Sequence, residues 1–330
     1  MNKKILILGC SSFSGASLVN FLLNKNYKIY GTYNKKKNFC YLPYTKNKNF
    51  KNFKSLKVNL EKSNSQKKLN FYIKKIKPEI IIDFASICMV NESWKNPNKY
   101  FKINCLSKID LIKNIYKFNF IKKFIYISTP EVFGNTTKEL SENLDVFRPS
   151  TPYASSKLLT ESLIKNYETT NKKKFIIARF SNFYGPAQPS YRLIPKIILS
   201  IKKNIKFPLH GNGSSRRNYI FSDDFCEGIY KIILRGAAGS TYHFSDEKLY
   251  SVRNIIHKVC KIMRTNPTNI IANKKDRIGK DNIYKLKCNK TKKYLNWKTA
   301  TKIDDGIKKM IDYIESNYKH LKKESMSFKL

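Results

Sequence analysis

Apolar residues occur along the first 180 positions in short runs that alternate with longer stretches of mixed polarity. Short apolar runs bounded by glycine or proline are typical of buried strands, whereas apolar residues spaced three and four apart are typical of helices. The pattern predicts strands at residues 4–8, 27–33, 80–85, 122–128 and 175–179, and a further strand just before Asn59. It predicts helices at residues 16–23, 69–76 and 105–118, and one that starts near Pro152.

Strands that alternate with helices in this way form a parallel sheet with right-handed crossovers and helices on both faces. Residues 1–180 are therefore predicted to form a doubly wound α/β domain. Beyond residue 180 the sequences YGPAQPS, LHGNGSS and RGAAGST interrupt shorter elements, which predicts a smaller, loop-rich α/β lobe over residues 181–330. Part of this lobe, near residues 215–247, is a candidate for returning to the first domain.

The 330 residues carry a formal net charge of +42, a value typical of proteins that bind nucleic acids or membrane surfaces. The cations are 56 Lys and only 9 Arg, although arginine is the residue that recognises phosphate groups bidentately. Because lysine codons are AT-rich, we attribute the charge to base composition. We expect no nucleic-acid partner.

The seven cysteines are widely spaced and form no CxxC motif, which indicates free thiols in a reducing cytoplasm and no metal site. No apolar run approaches 18 residues, so no membrane-spanning helix is expected. Residues 3–15, KKILILGCSSFSG, imitate a secretion signal or a lipid-attachment site. Their apolar run is shorter than the roughly seven residues that a signal peptide needs, so we interpret them as a strand and a nucleotide-binding loop.

The loop carries Gly9, Ser12 and Gly15 in a GxxSxxG spacing, with serine in place of the middle glycine. In a doubly wound sheet, a glycine turn between the first strand and a helix N-terminus attracts a pyrophosphate through free N–H groups and the helix dipole. The motif is a weak signal by itself, because small residues also form ordinary turns between a strand and a helix.

A second motif is Tyr153-Ala-Ser-Ser-Lys157, which begins a predicted helix. Thr151 is a suitable N-cap and Pro152 suits the first helical position, so Tyr153 and Lys157 share one helix face. A nearby ammonium is expected to lower the pKa of the tyrosine, which would make it an acid/base for a sugar or alcohol hydroxyl.

A third motif, Ser128-Thr129-Pro130-Glu131, closes the strand centred on FIYIS. The carboxyl ends of the strands are where ligands bind in this kind of sheet. A hydroxyl there can hydrogen-bond the reacting oxygen, and Glu131 can move a proton.

Together the motifs resemble those of the extended short-chain dehydrogenase/reductases, in particular the nucleotide-sugar epimerase/dehydratase family. The likeness implies a Rossmann-type parallel sheet with a smaller substrate lobe, and it runs over nearly the whole chain in a specific order. The matching segments are GxxSxxG at 9–15, DFAS at 83–86, STPEVFG at 128–134, PYASSK at 152–157, RFSNFYGP at 179–186, RRNYIFSDD at 216–224 and DRIGKDNIY at 276–284.

The likeness to the sugar 4,6-dehydratases of this family, such as those that act on dTDP-glucose, is the strongest. It is carried by Thr129, Glu131 and Gly134 after the fifth strand, and by the DRIGKDNIY segment with Asp276, Arg277, Gly279, Asp281 and Tyr284. The resemblance implies an NAD(P)-dependent lyase that makes a 4-keto-6-deoxy sugar by internal hydride transfer.

The resemblance also implies roles for individual residues and a homodimer built on helices near 99–118 and 152–166. The implied catalytic residues are Thr129, Glu131, Tyr153 and Lys157. The implied cofactor-binding residues are Gly9, Ser12, Phe13, Gly15, Asn34, Asn59, Leu60 and Ala85, together with Tyr153 and Lys157. The implied substrate-binding residues, for a nucleotide-diphosphate sugar, are Asn182, Arg192, Arg217 and Arg277.

Departures from the family pattern keep two other functions open. Pro130 stands where many dehydratases have the acid that protonates the departing hydroxyl, while Met89 and Lys280 replace usual histidines. A nucleotide-sugar 4-epimerase of the same family needs Tyr153 and Lys157 but no acid/base at position 131. The third alternative is a non-catalytic nucleotide sensor or a polyanion-binding protein.

The cofactor prediction rests on two signals that disagree. The family mostly uses NAD, which is therefore the predicted cofactor. However, NAD-binding proteins commonly end the second strand with Asp or Glu, whereas this chain continues with Asn34 and three lysines, residues 35–37. This basic edge favours a 2′-phosphate, so NADP is the alternative.

Overall fold

The computed structural model describes residues 3–144, 146–169, 174–275 and 283–328. The strands are β1 (Ile5–Leu8), β2 (Ile29–Tyr33), β3 (Phe53–Lys57), β4 (Ile80–Asp83), β5 (Lys123–Ser128), β6 (Glu139–Leu140), β7 (Phe175–Phe180), β8 (Asn182–Tyr184), β9 (Phe207–His210), β10 (Arg216–Arg217), β11 (Tyr219–Phe221), β12 (Ser240–Phe244), β13 (Tyr250–Ser251), β14 (Ile271–Lys274) and β15 (Lys285–Leu286).

The α-helices are α1 (Phe13–Asn24), α2 (Ser63–Ile76), α3 (Val90–Lys95), α4 (Pro97–Phe101), α5 (Ser107–Lys117), α6 (Pro152–Glu168), α7 (Leu193–Lys202), α8 (Ser222–Arg235), α9 (Val252–Ile262), α10 (Pro267–Ile270), α11 (Ile303–Ser316) and α12 (Tyr318–Leu321). Short 3₁₀ turns occur at Phe39–Tyr41, Pro43–Lys46, Phe50–Asn52, Pro130–Phe133 and Gly211–Gly213, and π-helical segments occur at Lys102–Leu106 and Thr291–Leu295.

Seven parallel strands form the central sheet, in the order β12-β7-β5-β4-β1-β2-β3. The predicted doubly wound Rossmann-type sheet is therefore confirmed. The order of the strands reverses between β1 and β4, which is where ligands bind in such sheets. The edge strand β12 comes from within residues 215–247 and pairs with β7, while the domain boundary at residue 180 stays a prediction.

The central strands alternate their side chains between two hydrophobic clusters, one on each face of the sheet. On one face, Ile5 and Ile7 of β1 pack with apolar residues of α1 and α8. On the other face, Leu6 and Leu8 pack with residues of α2, α5 and α6. This burial on both faces explains why the strands appear in the sequence as continuous apolar runs.

A further cluster joins α7, α9 and α11 with strands of the second half of the chain. It also includes Cys40 and Tyr41, from the segment that follows β2. The Tyr41 hydroxyl lies 2.9 Å from Ser190 Oγ. The segment after β2 therefore runs from the sheet to the second half of the chain and packs against it.

A buried ionic group attaches α6 to the sheet. Arg179 on β7 donates from Nε to Glu161 Oε1 on α6 at 3.0 Å and also pairs with the other carboxylate oxygen. Its Nη1 lies 3.1 Å from His243 Nε2 on β12. Burial, and then the charge of Arg179, lower the pKa of His243 to about 3, so the imidazole is neutral and accepts from the guanidinium.

Arg179→Met is expected to destabilise the fold by about 3–5 kcal/mol, because it leaves the Glu161 carboxylate buried without its cation. The double variant Arg179→Met with Glu161→Met is expected to lose much less stability, because neither charge is then buried without a partner. Urea denaturation followed by circular dichroism measures both values. Glu315→Gln, which breaks the exposed pair with Lys202, is the control and should cost less than about 1 kcal/mol. An equal effect of Arg179→Met and Glu315→Gln would contradict the prediction.

Candidate active site

The loop after β1 passes very close to the loop after β4. Gly9 has φ +78°, and a Cβ on it would lie 3.0 Å from the backbone of Phe84 and Ala85. A Cβ on Gly15 would collide with the carbonyl oxygen of Gly9. Only glycine fits either position, and the close approach brings the N-terminus of α1 to the reversal point of the sheet.

Ser12, which replaces the middle glycine of the motif, is the N-cap of α1. Its Oγ donates to the Gly9 carbonyl at 2.7 Å and accepts from the Gly15 N–H at 3.0 Å. Because of this cap, α1 begins at Phe13 rather than at residue 16 as predicted. The first turn of α1 has no acidic residue, so its dipole is available to an anion such as a pyrophosphate. The Phe13 ring stacks on Phe183, with centroids 5.1 Å apart.

The other predicted cofactor residues lie at the same edge of the sheet, because each follows the end of a neighbouring parallel strand. Asn34 follows β2 and is exposed. Asn59 and Leu60 come shortly after β3 and are half-buried, and Asn59 Oδ1 accepts from the Glu61 N–H at 3.0 Å. Ala85 follows β4 and is also half-buried. The loop, the helix end and this edge together fit a dinucleotide.

A fully buried ion pair holds Ala85 in place. Lys108 Nζ on α5 lies 2.7 Å from Asp83 Oδ2 at the end of β4, and neither side chain is exposed. Lys108 Nζ also donates to the Ala85 carbonyl at 2.8 Å, while the Ala85 N–H donates to Asp83 Oδ1 at 2.9 Å. Both backbone polar groups of Ala85 are thus satisfied by one ion pair, which fixes the loop that faces Gly9.

Tyr153 and Lys157 lie on one face of α6, as the spacing predicts, and both are buried. Thr151 caps the helix by accepting from the Ala154 N–H at 3.1 Å. Lys157 Nζ donates to the Ile127 carbonyl at 2.7 Å and to Ser86 Oγ at 3.2 Å. Burial lowers the pKa of Lys157 to about 7, although the Asp83 carboxylate partly opposes the shift.

The pKa of Tyr153 is raised well above 10, so the expectation of an acidic phenol is wrong for this structure. Burial is the largest cause, and the nearby Cys88 and Glu131 add to it, while a hydrogen bond with Thr129 and the charge of Arg192 act in the opposite direction. The ammonium of Lys157 is engaged by Ile127 and Ser86 instead. Removing the phenol from water therefore outweighs the stabilisation of a phenolate.

Thr129 and Glu131 are held together by the 3₁₀ turn Pro130–Phe133. Thr129 caps this turn, and its Oγ1 accepts from the Glu131 N–H at 3.3 Å. Pro130 occupies the first position of the turn and is buried. Thr129 lowers the pKa of Tyr153 by hydrogen bonding and Glu131 raises it by its charge, so the turn brings a hydroxyl and a carboxylate near the phenol.

Of the predicted substrate residues, Arg192 is the one whose charge acts on the pKa of Tyr153. It precedes α7, and its Nη2 donates to Cys88 Sγ at 2.9 Å. Asn182 starts β8 and faces Tyr219 on β11, two residues from Arg217. The Arg217 guanidinium lies over the Tyr284 ring, 4.4 Å from its centroid. Arg277 lies outside the described residues, as do Asp276, Gly279, Lys280 and Asp281.

Several residues of the site were missed by the sequence analysis. Glu161 continues the four-residue spacing of Tyr153 and Lys157. The helical period therefore predicts that Glu161 lies on the same face of α6 as these two residues. Asp83 was found only as the first residue of the DFAS segment. Cys88 and Lys108 gave no signal, because their partners lie on other elements. Among the described residues, no group of His, Cys, Asp or Glu is arranged to hold a metal ion, and no helix has the length and apolarity to cross a membrane.

Comparisons of this chain with family models, curated proteins and solved structures agree with one another. The model of the family described as GDP-mannose 4,6 dehydratase matches residues 6–310. The dTDP-D-glucose 4,6-dehydratase of Mus musculus is 27% identical over 329 residues, covering 97% of this chain and 91% of the mouse protein. A trifunctional UDP-glucose 4,6-dehydratase/UDP-4-keto-6-deoxy-D-glucose 3,5-epimerase/UDP-4-keto-L-rhamnose-reductase of Arabidopsis thaliana is 28% identical over 322 residues.

The match covers 96% of this chain, but the chain spans about half (47%) of the Arabidopsis protein. Among solved structures, the dTDP-glucose 4,6-dehydratase of Streptomyces venezuelae, determined with NAD bound, is similar with a TM-score of 0.87. The two chains are 21% identical, and the match covers 96% of this chain and 98% of the other. At this identity the structural likeness establishes the fold.

Lys157→Met is expected to raise the stability of the fold relative to wild type most strongly below pH 7. The folded-state pKa of about 7 lies below the value of about 10.4 for an unfolded chain, so wild-type stability should rise with pH between these values. The advantage of the variant should therefore shrink by up to about 1.4 kcal/mol per pH unit above pH 7. Urea denaturation at pH 6, 7, 8 and 9 measures this change.

Lys293→Met, at an exposed lysine, is the matched control and should show a difference from wild type that does not vary with pH. A difference for Lys157→Met that is equally flat would show that Lys157 keeps its proton throughout the range.

Proposed function

Because the chain belongs to the GDP-mannose 4,6 dehydratase family, we propose that it is an NAD-dependent nucleotide-sugar 4,6-dehydratase. Its substrate is a hexose joined to a nucleoside diphosphate, and its product is a 4-keto-6-deoxy sugar. The observation that carries the proposal is the meeting of Tyr153, Thr129 and Glu131 at the carboxyl edge of the sheet, beside the loop of Gly9. The relatives named above support the same reaction class.

NAD is the cofactor that best suits this site. The helix end at Ser12 and Phe13 would hold its pyrophosphate, and Ala85 would line its path along the sheet edge. When bound, NAD supplies a positively charged, reversible hydride acceptor, so none is consumed overall. Loss of water and the charge of Arg192 lower the pKa of Lys37, while Cys88 raises it. The charges of Cys88 and Arg192 thus reach Lys37, while Lys35 and Lys36 follow Asn34 directly and keep NADP as the alternative cofactor.

Tyr153 accepts the proton of the sugar 4-hydroxyl as C4 is oxidised. Its high pKa makes the phenol a poor acid at rest, but a strong base once it is ionised. Thr129 stabilises the anion by a hydrogen bond, which is worth most at a preorganised donor shielded from water. Lys157 lies one helical turn away, and with a pKa of about 7 it carries its positive charge in part of the molecules at neutral pH.

Glu131 carries out the elimination. The new ketone at C4 acidifies C5, and the Glu131 carboxylate removes the C5 proton. Pro130 has no proton to give, so the protonated Glu131 passes the same proton to the departing C6 oxygen. The C5–H and C6–O bonds are thereby broken, a C5=C6 double bond forms, one water is released, and the carboxylate is regenerated. Return of the hydride taken from C4 to C6, with a proton from water at C5, would then saturate the double bond and give the 4-keto-6-deoxy sugar.

A 4-epimerase is the second candidate, and Pro130 is the observation that favours it. An epimerase needs Tyr153 and Lys157 to move the 4-hydroxyl proton but requires no acid at position 130 or 131. Glu131 favours the dehydratase instead, because its effect on the pKa of Tyr153 indicates a carboxylate close to the reacting hydroxyl.

We also propose that the protein is a homodimer in a reducing cytoplasm. Leu106, Ile109 and Leu159 are 59%, 43% and 49% exposed on the two helical segments expected to form the interface. A second copy would bury these apolar side chains. All seven cysteines are free, which suits the cytoplasm.

Incubation of the purified protein and NAD with dTDP-glucose, UDP-glucose or GDP-mannose is expected to give a product lighter by one water. Glu131→Gln should reduce the rate at least about 100-fold, because it removes the acid/base, and Tyr153→Phe should do the same. Mass spectrometry of the nucleotide sugar measures both.

Glu139→Gln is the control, since Glu139 is an exposed carboxylate paired with Lys285 and Lys287, and it should keep the wild-type rate. A product of unchanged mass and inverted C4 would identify an epimerase instead. Full dehydration by Glu131→Gln would overturn the role of Glu131.

The double variant Leu106→Lys with Leu159→Lys is expected to sediment as a monomer, because two like charges would face each other across the interface. Wild type should sediment as a dimer in analytical ultracentrifugation. Phe71→Lys, at an apolar residue 69% exposed on α2, should remain dimeric. Monomeric wild type, or an unchanged double variant, would count against the proposed interface.

A further inference from the structure

Cys88 differs from every other cysteine of the chain. All seven lie within the described residues, and Cys88 alone is exposed while the other six are buried. It lies in the short segment between β4 and α3, at the carboxyl edge of the sheet. An exposed thiol is therefore placed beside the candidate active site, where the sequence analysis assigned no role to it.

The backbone on both sides of Cys88 is held tightly. The buried Asn104 side chain accepts from the Ile87 N–H at 2.9 Å and donates to the Ile87 carbonyl at 2.9 Å. The Tyr100 hydroxyl donates to the Met89 carbonyl at 2.5 Å. Since both neighbours are fixed by hydrogen bonds from the π-helical and α4 segments, the sulfur has a well-defined position.

This fixed sulfur holds a cation from the second half of the chain. Arg192 Nη2 donates to Cys88 Sγ at 2.9 Å, across 104 positions of sequence. The Arg192 guanidinium also lies 5.7 Å from the centre of the Tyr191 ring. A guanidinium has five N–H donors, so one bond to sulfur orients the group and leaves donors for an anion.

Other charges converge on the same point. Cys88 and Arg192 both act on the pKa of Tyr153, after the larger effect of burial. They also act on the pKa of Lys37, again after its loss of water. The charge of Arg192, which contacts the thiol directly, therefore reaches both Tyr153 and Lys37, so an anion that enters next to Tyr153 would meet the Arg192 guanidinium.

We propose that Cys88 is a positioning residue, which orients Arg192 toward the diphosphate of the nucleotide sugar. The inference rests on the proposed function for its substrate class. Cys88 acts through Arg192 and takes no part in the proton transfers. Serine at this position would preserve an acceptor for the guanidinium, whereas alanine would release it.

Binding of dTDP, UDP and GDP to the NAD-loaded protein, measured by isothermal titration calorimetry, tests the pairing. For the diphosphate that binds wild type, Cys88→Ala is expected to raise the Kd about 5- to 20-fold. Cys88→Ser is expected to have a Kd within about threefold of the wild-type value. Arg192→Met should weaken binding at least as much, and adding Cys88→Ala to it should cause no further loss. Additive effects, an unaffected Cys88→Ala variant, or a wild type that binds none of the three would overturn the proposal.

Alkylation supplies a readout that a purely structural role would not affect. N-ethylmaleimide, followed by peptide mass spectrometry, is expected to modify Cys88 first, with the six buried cysteines as internal controls. The bound diphosphate should slow modification of Cys88 at least tenfold. A cysteine introduced at the exposed Lys293 position by Lys293→Cys should react at the same rate with and without ligand. Unprotected Cys88 in the presence of a bound diphosphate would overturn the proposal.

The two proposals fail in different ways. Dehydration of a nucleotide sugar by wild type, together with normal diphosphate binding by Cys88→Ala, overturns the role of Cys88 and leaves the reaction standing. Diphosphate binding that depends on Cys88, without dehydration of any sugar, overturns the reaction and supports the role of Cys88.

Discussion

The burial of three ionisable side chains on one face of α6 constrains the rest of the structure. Tyr153, Lys157 and Glu161 follow one another at intervals of four residues, and each is at most 8% exposed. Removing an ion from water costs several kcal/mol unless a partner compensates for it. The strands supply these partners: Arg179 pairs with Glu161, and the Ile127 carbonyl accepts from Lys157. A shift of α6 along the sheet would leave charges unpaired, so the ionic contacts set its position.

The same constraint links the proposed catalytic residues to the proposed cofactor loop. Lys157 reaches Ser86, which lies one residue beyond Ala85. Ala85 is in turn held by Asp83 and Lys108 and lies against Gly9. One chain of contacts therefore runs from the helix to the loop of Gly9, so the proposed reacting groups and the proposed cofactor site are expected to be aligned by packing rather than by mobile side chains.

The electrostatics of the site favour the neutral forms of its buried groups while no ligand is bound. Burial raises the pKa of Tyr153 and lowers that of Lys157, so neither group is forced into its charged form at neutral pH. The positive charge of the cofactor would favour the phenolate, and the negative charge of a diphosphate would be balanced by Arg192 and Lys37. Proton transfer is then coupled to binding, because the charges that stabilise the phenolate arrive with the ligands.

The local sequence pattern determined the sheet, the loop after β1 and the relative positions of two site residues. The period of the apolar residues predicted the parallel sheet, the GxxSxxG spacing predicted the loop, and the i, i+4 spacing placed Tyr153 and Lys157 on one helix face. Such features depend on residues close in sequence, whose relative directions follow from the geometry of one helix or one turn. The motif order was specific enough to indicate the family.

Only the tertiary structure decided the contacts that tune the site. The direction of the pKa shift of Tyr153 depends on how much water the surrounding elements exclude, which no local spacing encodes. The bond of Cys88 to Arg192 and the pairing of Asp83 with Lys108 join separate elements, as does the addition of β12 to the sheet. Solvent exclusion and long-range pairing arise when the chain packs, and so the sequence determined which groups were present while packing decided their partners and their charge.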